Sequence, residues 1–345
     1  MHDRRVGALS MTRPPRPAVV GTLPRSLYLE TTNRCDSKCQ TCIRTFTTLE
    51  PPADLTLERV EKIVDQFPGL ERVVLHGIGE PLLNPEIFDI VAYLKKRVSS
   101  VLFNSDAIGL TRARAIRLID SGLDEYRVSV DAATAATFRK LRGVDCFERV
   151  TANVARLIVL QRETGRTTPR VSLWFTASRA NVEELPAFVQ LAADLAVAEV
   201  YVQRLVFNGL GLATEANALH GRLREREQAL LTEAEVLATR HGIAMRASGL
   251  TTPLASLHGS GDTARHWSGC QRPWTLAYVT ANGNVLPCCI SPWVASDYSR
   301  LILGNAFEER FEAIWDGERY QRFRTDFESD SPPDACRGCG LLWSI

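Results

Sequence analysis

The run Asn33-Arg34-Cys35-Asp36-Ser37-Lys38-Cys39-Gln40-Thr41-Cys42 puts three thiols into one short loop with a C-x3-C-x2-C spacing. The residues just before it, 27–31, are a short apolar stretch that reads as a strand. The cysteine loop therefore leaves the C-terminal end of a first strand. Three thiolates from one loop can hold three irons of a four-iron cubane, and no further cysteine occurs before Cys146. One iron then stays open to a small molecule, which turns an electron carrier into a reagent. Zinc is the competing reading, but structural zinc takes four closed ligands. Ordinary ferredoxins supply a fourth cysteine close by.

Downstream, short apolar segments alternate with longer amphipathic ones. Strands are expected at 27–31, 72–76, 101–104, 126–130, 170–176 and 200–207, and helices at 56–66, 85–98, 111–121, 147–163 and 181–195. Six β-α units in a row predict a parallel sheet with helices outside, short of the ~250 residues of a closed eight-stranded barrel. Ligands gather at the C-terminal strand ends of such sheets, and the unusual residues fall there. His76-Gly77-Ile78-Gly79-Glu80-Pro81 follows the second strand, Asn104-Ser105-Asp106 closes the third, and Ser129 and Asp131 close the fourth. Strand alternation turns Arg127, Ser129 and Asp131 to one face. Asp131 could bond a ribose or cap the next helix. Glu80 could add charge or brace its loop. Of Gln203 and Arg204, only one can face inward.

The C-terminal region holds Cys270, Cys288, Cys289, Cys336 and Cys339. Asn282-Gly283 between apolar segments 277–279 and 285–287 signals a hairpin, which would bring Cys270 and Cys288 together. A helix over 307–323 would return the chain to Cys336. Cys289 is a spare that could replace Cys288, and a four-cysteine zinc knuckle remains an alternative. Cys146 reads as a buried thiol, or else as a hydrogen donor to a radical.

The chain has 345 residues, 45% of them apolar, and a net charge of +1. That balance argues against nucleic-acid and membrane-surface roles, which need concentrated positive charge. No apolar run approaches the ~20 residues of a membrane span. Residues 1–24 are rich in Arg and Pro, lack a signal-peptide core, and are expected to be disordered. A cytoplasmic protein with nine cysteines uses them as metal ligands sooner than as disulfides. The expected layout is this disordered segment, a barrel over 25–213, a linker over 214–269 and a cysteine-rich domain over 270–345. The linker would hold a long charged helix in 214–246, a short strand near 243–246 and a polar lid in 247–269.

The cysteine loop resembles the cluster motif of the radical S-adenosylmethionine (radical SAM) enzymes. Gly77–Pro81, Ser129-x-Asp131 and Arg142-Gly143 resemble further elements of that family. Where the family often has an aromatic residue before the third cysteine, this chain has Thr41. The C-terminal spacing resembles a twitch domain, a reduced SPASM domain. The resemblance covers roughly residues 27–345. It implies an α/β fold, a partial (β/α)6 TIM-like barrel with a small C-terminal cysteine-rich auxiliary-cluster domain. It implies S-adenosylmethionine and two [4Fe-4S] clusters. One would be held by Cys35, Cys39 and Cys42 and bind S-adenosylmethionine; the auxiliary one would be held by Cys270, Cys288, Cys336 and Cys339. Cofactor contacts would come from Gly77, Gly79, Glu80, Asn104, Ser129, Asp131 and Arg142.

In that family a 5′-deoxyadenosyl radical abstracts hydrogen from an unactivated carbon, and a fully ligated second cluster can accept one electron. Both steps together make a two-electron oxidation. The layout is similar to twitch-domain dehydrogenases of the 2-deoxy-scyllo-inosamine type, so the expected reaction is oxidation of a sugar or aminocyclitol alcohol in natural-product biosynthesis. The alternatives are a peptide (RiPP) maturase, a radical epimerase using a thiol such as Cys146 or Cys289, and a non-enzymatic iron–sulfur or zinc scaffold. The implied partners are a small-molecule substrate, with a peptide as the other option, and a flavodoxin- or ferredoxin-type electron donor. No nucleic-acid or membrane partner is expected.

Overall fold

The computed structural model describes residues 16–249, 251–258, 267–294, 297–337 and 339. The ten strands among these residues form one sheet in the order β10-β9-β8-β1-β2-β3-β4-β5-β6-β7. Six strands belong to the anticipated β-α series: β1 Ser26–Leu29, β2 Arg72–Leu75, β3 Ser100–Ser105, β4 Glu125–Ser129, β5 Arg170–Ala177 and β6 Glu199–Arg204. They run parallel, each beside its sequence neighbour. Between them lie α1 Leu57–Val64, α2 Ile87–Lys95, α3 Arg112–Asp120, α4 Ala135–Arg142, α5 Phe147–Glu163 and α6 Leu185–Asp194. The partial barrel is thus the α/β architecture that the alternation of short and long apolar segments predicts.

The core forms where strands meet helices. Val73, Leu75, Val101, Phe103, Tyr126 and Val128 are fully buried and pack with Val60, Ile63, Ile90, Val91 and Leu118 of the helices. Three helices start on a threonine whose side chain accepts a main-chain N–H: Thr56, Thr111 and Thr134. Such caps satisfy donors that a helix start leaves orphaned.

Two additions extend the sheet. After α7 (Glu225–His241), β7 (Ala244–Ala247) pairs parallel with β6. On the opposite edge β8 (Leu276–Val279) pairs parallel with β1, in the register Ser26↔Leu276 to Leu29↔Val279. β9 (Asn284–Leu286) and β10 (Gly304–Asn305) then follow antiparallel. The C-terminal hairpin therefore continues the barrel's own sheet.

Four expectations are corrected. Residues 16–24 are not disordered. Val20 and Gly21 donate main-chain N–H to Asp316, Trp315 donates to the Thr22 carbonyl, and Arg324 to that of Ala18. The part of that expectation that concerns residues 1–15 lies outside the described residues. The helix expected from 214 starts only at Glu225, because Gly221 is left-handed (φ +68°) and Arg224 is extended, its N–H bonded to Glu227. The helix expected over 307–323 is two, Phe311–Trp315 and Glu318–Glu328, broken at Gly317 in extended geometry. In the expected lid, residues 253–258 form a helix against β7 and α7, and 259–266 lie outside the described residues. No helix among the described residues is long and apolar enough to cross a membrane.

Candidate active site and second cysteine centre

A cavity of about 170 Å³ opens at the C-terminal ends of the parallel strands. Cys35, Cys39 and Cys42 line it, together with Gly77, Gly79, Glu80, Asn104, Ser129, Asp131 and Arg142. Every pocket residue expected from the sequence is thus brought to one place.

The cysteine loop is held there by main-chain bonds from three directions. Lys38 and Gln40 donate N–H to the carbonyls of Arg142 and Leu141 at the end of α4 (3.0 and 2.7 Å), and Leu212 donates to Gln40 (2.7 Å). Glu80 donates to Arg34 (2.8 Å). Arg44 reaches back to the carbonyls of Cys35 and Ser37 (2.7 and 2.9 Å).

Glycine makes these approaches possible. A Cβ on Gly79 would lie 2.0 Å from the Thr32 carbonyl oxygen, and one on Gly77 2.2 Å from Glu30 Oε2. Gly143 combines φ +69° with a Cβ position 2.2 Å from the Lys38 carbonyl oxygen. In the direction a side chain would take, these glycines meet protein, so they allow chain to pack on chain.

The cavity's carboxylates are consumed by the framework. Glu80 Oε1 accepts from Leu82 N and Ser105 Oγ, and Oε2 from Asp106 N at 2.7 Å. Burial, and then the charge of Asp106, push its pKa well above the usual range. Of the two roles open to Glu80, the structure matches the brace. Asp106 accepts from Ser37 Oγ (2.7 Å) and Ile108 N (3.0 Å). Asp131, left-handed at φ +64°, pairs with Arg142 (2.9 Å) and accepts from Thr176 N (2.7 Å). The cap of α4 is Thr134, so the capping alternative for Asp131 is corrected.

A second set of lining groups behaves differently. Among the described residues, the side chains of His76, Asn104, Ser129, Thr176 and Gln203 have no hydrogen-bond partner, and none is sealed from the cavity. Strands β3 to β6 each carry one of these groups, and His76 follows β2. Buried Arg142 also keeps its Nε–H unpartnered. Gln203 resolves the choice on β6: Arg204 turns away, bonding Ser256 Oγ (3.1 Å) and its carbonyl (2.6 Å). Cys146 precedes α5, packs against the core and does not line the cavity. Thr176, Ile290 and Trp293 were not singled out from the sequence. Period-two alternation along β5, with Val171, Leu173 and Phe175 on the helix side, could have found Thr176 on the other face; nothing local signals Ile290 or Trp293.

Burial pushes the thiols of Cys35 and Cys39 up to about 12 and that of Cys42 to about 11. Such groups become thiolates only against positive charge, as metal coordination provides. Three convergent thiols, an unpartnered guanidinium N–H and a ring of unpartnered polar groups fit a cluster with an organic ligand.

The second centre is a chamber lined by Cys270, Cys288, Cys336 and Cys339, with Arg272, Phe323 and Phe327. Burial raises the Cys270 and Cys336 thiols as well. Cys289 is excluded from the lining; it is buried among Leu276, Tyr278 and Leu286. Ile290 lines both cavities, and in the short helix Ser291–Val294 Trp293 faces the barrel while Val294 faces the chamber. Arg16 clamps the entrance to Cys270. It donates to the Cys270 carbonyl, to that of Ser268 (3.1 Å) and to Gln271 Oε1 (3.2 Å), and stacks 3.9 Å over Trp274.

Residues 29–168 match the radical SAM superfamily, and residues 270–340 match the SPASM iron-sulfur cluster-binding domain. The chain is a radical SAM domain joined to a SPASM domain. Such a pair brings S-adenosylmethionine, a [4Fe-4S] cluster that binds it and auxiliary [4Fe-4S] chemistry. The chain is 24% identical over 332 residues to the AdoMet-dependent heme synthase of Methanosarcina barkeri, covering 92% of this chain and 88% of that protein. It is 26% identical over 307 residues to the PqqA peptide cyclase of Streptomyces rochei, covering 86% and 76%. Among solved structures, Streptococcus suis SuiB bound to S-adenosylmethionine superposes with a TM-score of 0.68 at 18% identity, covering 88% of this chain and 68% of SuiB. That likeness is one of fold.

Proposed function

We propose that this radical SAM enzyme modifies a peptide, the alternative reading from the sequence, in place of an aminocyclitol alcohol. The observation that carries this is the fate of the cavity's carboxylates. Glu80, Asp106 and Asp131 all spend their oxygens on protein donors. An aminocyclitol would bring an ammonium, and these acids could meet it directly only by loosening bonds that hold the framework. A peptide segment brings neutral amides, which the unpartnered side chains suit. The PqqA peptide cyclases among the relatives favour the same substrate class.

In this reading Cys35, Cys39 and Cys42 hold the cluster that binds S-adenosylmethionine, and Cys270, Cys288, Cys336 and Cys339 hold the auxiliary one. The bound cofactor supplies a hydrogen-abstracting radical. Asn104 and Ser129 orient the nucleoside end. Arg142, positioned by Asp131, offers its spare N–H to a carboxylate. Ile290 and Trp293 close the cavity and keep water out. A flavodoxin- or ferredoxin-type donor and a cytoplasmic setting, where thiols stay reduced, complete the proposal.

Anaerobic reconstitution tests it. The protein should take up about eight irons, the sum of two four-iron clusters, and release 5′-deoxyadenosine on reduction with S-adenosylmethionine. Replacing Cys35, Cys39 and Cys42 by Ala should abolish that release. Mass spectrometry of short peptides encoded beside the gene should show altered hydrogen content. Turnover of aminocyclitols with every peptide left intact would reject the reading.

A further inference from the structure

We infer that His76 and Gln203 form a substrate subsite that takes an uncharged amide group, walled by Ile290 and Trp293. The inference rests on the peptide reading and narrows it to two hydrogen-bonding residues.

Sorting the lining groups by what they already bond leaves these two. The acids are spent on the framework, as described above. Asn104, Ser129 and Thr176 stand on the adjacent strands β3, β4 and β5, and Thr176 donates its N–H to Asp131, the partner of Arg142. His76 and Gln203 remain, on the flanking elements, one just after β2 and the other on β6; both line the cavity with no partner among the described residues. The apolar residues that line the same cavity are Ile78, Leu205, Val206, Ile290 and Trp293.

The chemistry of the pair is that of an amide reader. A carboxamide offers two N–H donors and one carbonyl acceptor, and a neutral imidazole offers one of each. His76 is held neutral. Burial, followed by the guanidiniums of Arg127 and Arg272, depresses it to about 4. Tyr28, edge-on at 6.4 Å, is its aromatic neighbour. Neither guanidinium is a simple anion trap: Arg127 forks onto Glu125 at 2.8 and 3.1 Å, and Arg272 faces the four-thiol chamber. An amide N–H and C=O entering here would satisfy both side chains, whereas an ammonium would leave their donors unpaired, gain only neutral acceptors and face the positive Arg127 and Arg272.

The test is equilibrium dialysis with the reconstituted, S-adenosylmethionine-loaded enzyme. Four probes serve: N-acetyl-leucyl-leucinamide, the unblocked leucyl-leucinamide, N-acetyl-leucine and scyllo-inosamine. The blocked, uncharged dipeptide should bind at least tenfold tighter than the other three. His76→Ala and Gln203→Ala should each weaken it at least fivefold, with iron content and S-adenosylmethionine affinity unchanged. His76→Gln, which keeps a donor and an acceptor, should retain most of the binding. If His76→Ala does not fold, Gln203→Ala carries the test alone. Unaltered dipeptide binding in both Ala variants overturns the subsite and leaves the peptide reading standing. Tighter binding of the carboxylate probe overturns the amide class. Tighter binding of scyllo-inosamine, lost in the variants, keeps the site and overturns both the amide class and the peptide reading. No binding of the blocked dipeptide to the unmodified enzyme overturns the inference.

Discussion

Gly79 has no room for even a methyl group, because the atoms in the way are the main-chain oxygens of Thr32 and Arg34, at 2.0 and 2.7 Å. Backbone cannot swing aside as a long side chain can. Gly79→Ala should therefore displace the cysteine loop and reduce iron in the first cluster by half or more, read by iron assay and 5′-deoxyadenosine release. At the second centre, Cys288→Ala should lose the auxiliary cluster, whereas Cys289→Ala should keep it and cost about 1–2 kcal/mol as a small core truncation. Equal loss in both would overturn the assignment. Glu30 is the residue with a legible pH signature. It is 2% exposed, and burial raises it from 4.5 to about 7, opposed by N–H groups of Ile78 and Ala281. A raised carboxyl favours folding while protonated. Its contribution is complete below about pH 4.5 and lost as pH rises through about 7, worth about 3 kcal/mol across that window. Glu30→Gln should flatten the fall in denaturant midpoint between pH 5 and 8; an unchanged slope would show that another group governs it.

Elements are joined by few, identifiable contacts. The loop after the cysteines meets the β8–β9 hairpin at Glu50, whose carboxylate accepts from Thr280, Asn282, Asn284 and Tyr298 at 2.6–3.2 Å. Charge-assisted bonds are worth about 1.5–3 kcal/mol each when partners are left unpaired, and they do not add. Glu50→Ala should cost about 2–4 kcal/mol in chemical denaturation and weaken auxiliary-cluster retention before that of the first cluster. Helix α4 serves the site through its end: Arg142 enters the cavity while Gly143 lets Lys38 approach. Its Thr134 cap and Gly143 stop were both readable start and stop signals. The sequence offered the helix only as one that Asp131 would cap, since eight residues with a charged run carry little periodicity of their own.

Over the whole molecule, a single sheet runs from β10 to β7 and both cysteine centres hang on it. The chain's early residues close the far end: Arg16, on the segment before β1, holds the carbonyl of Cys270 and stacks on Trp274. Arg16→Ala should lower the unfolding free energy in chemical denaturation by about 2 kcal/mol, combining lost hydrogen bonds with a lost cation–π contact. It should release auxiliary iron while leaving 5′-deoxyadenosine formation largely intact. Retention of all iron would show that the clamp is dispensable.

The sequence by itself determined the things that are local. Cysteine spacing identifies the two thiol sets, and alternating periods of two and 3.6 place six β-α units with Gly77, Glu80, Asn104 and Ser129 at their ends. Those signals are carried by neighbours in the chain, so no long-range contact is needed to read them. What a carboxylate or a thiol does depends on partners far along the chain, and only the tertiary structure decided that. It made Glu80 a brace through Asp106, turned Gln203 inward and Arg204 out, and left Cys289 in a core. It also brought Trp293 across to a cavity built by β2 to β6. Hydrogen-bond satisfaction and burial are properties of the assembled surroundings, and a side chain's role follows from what the fold leaves unpaired.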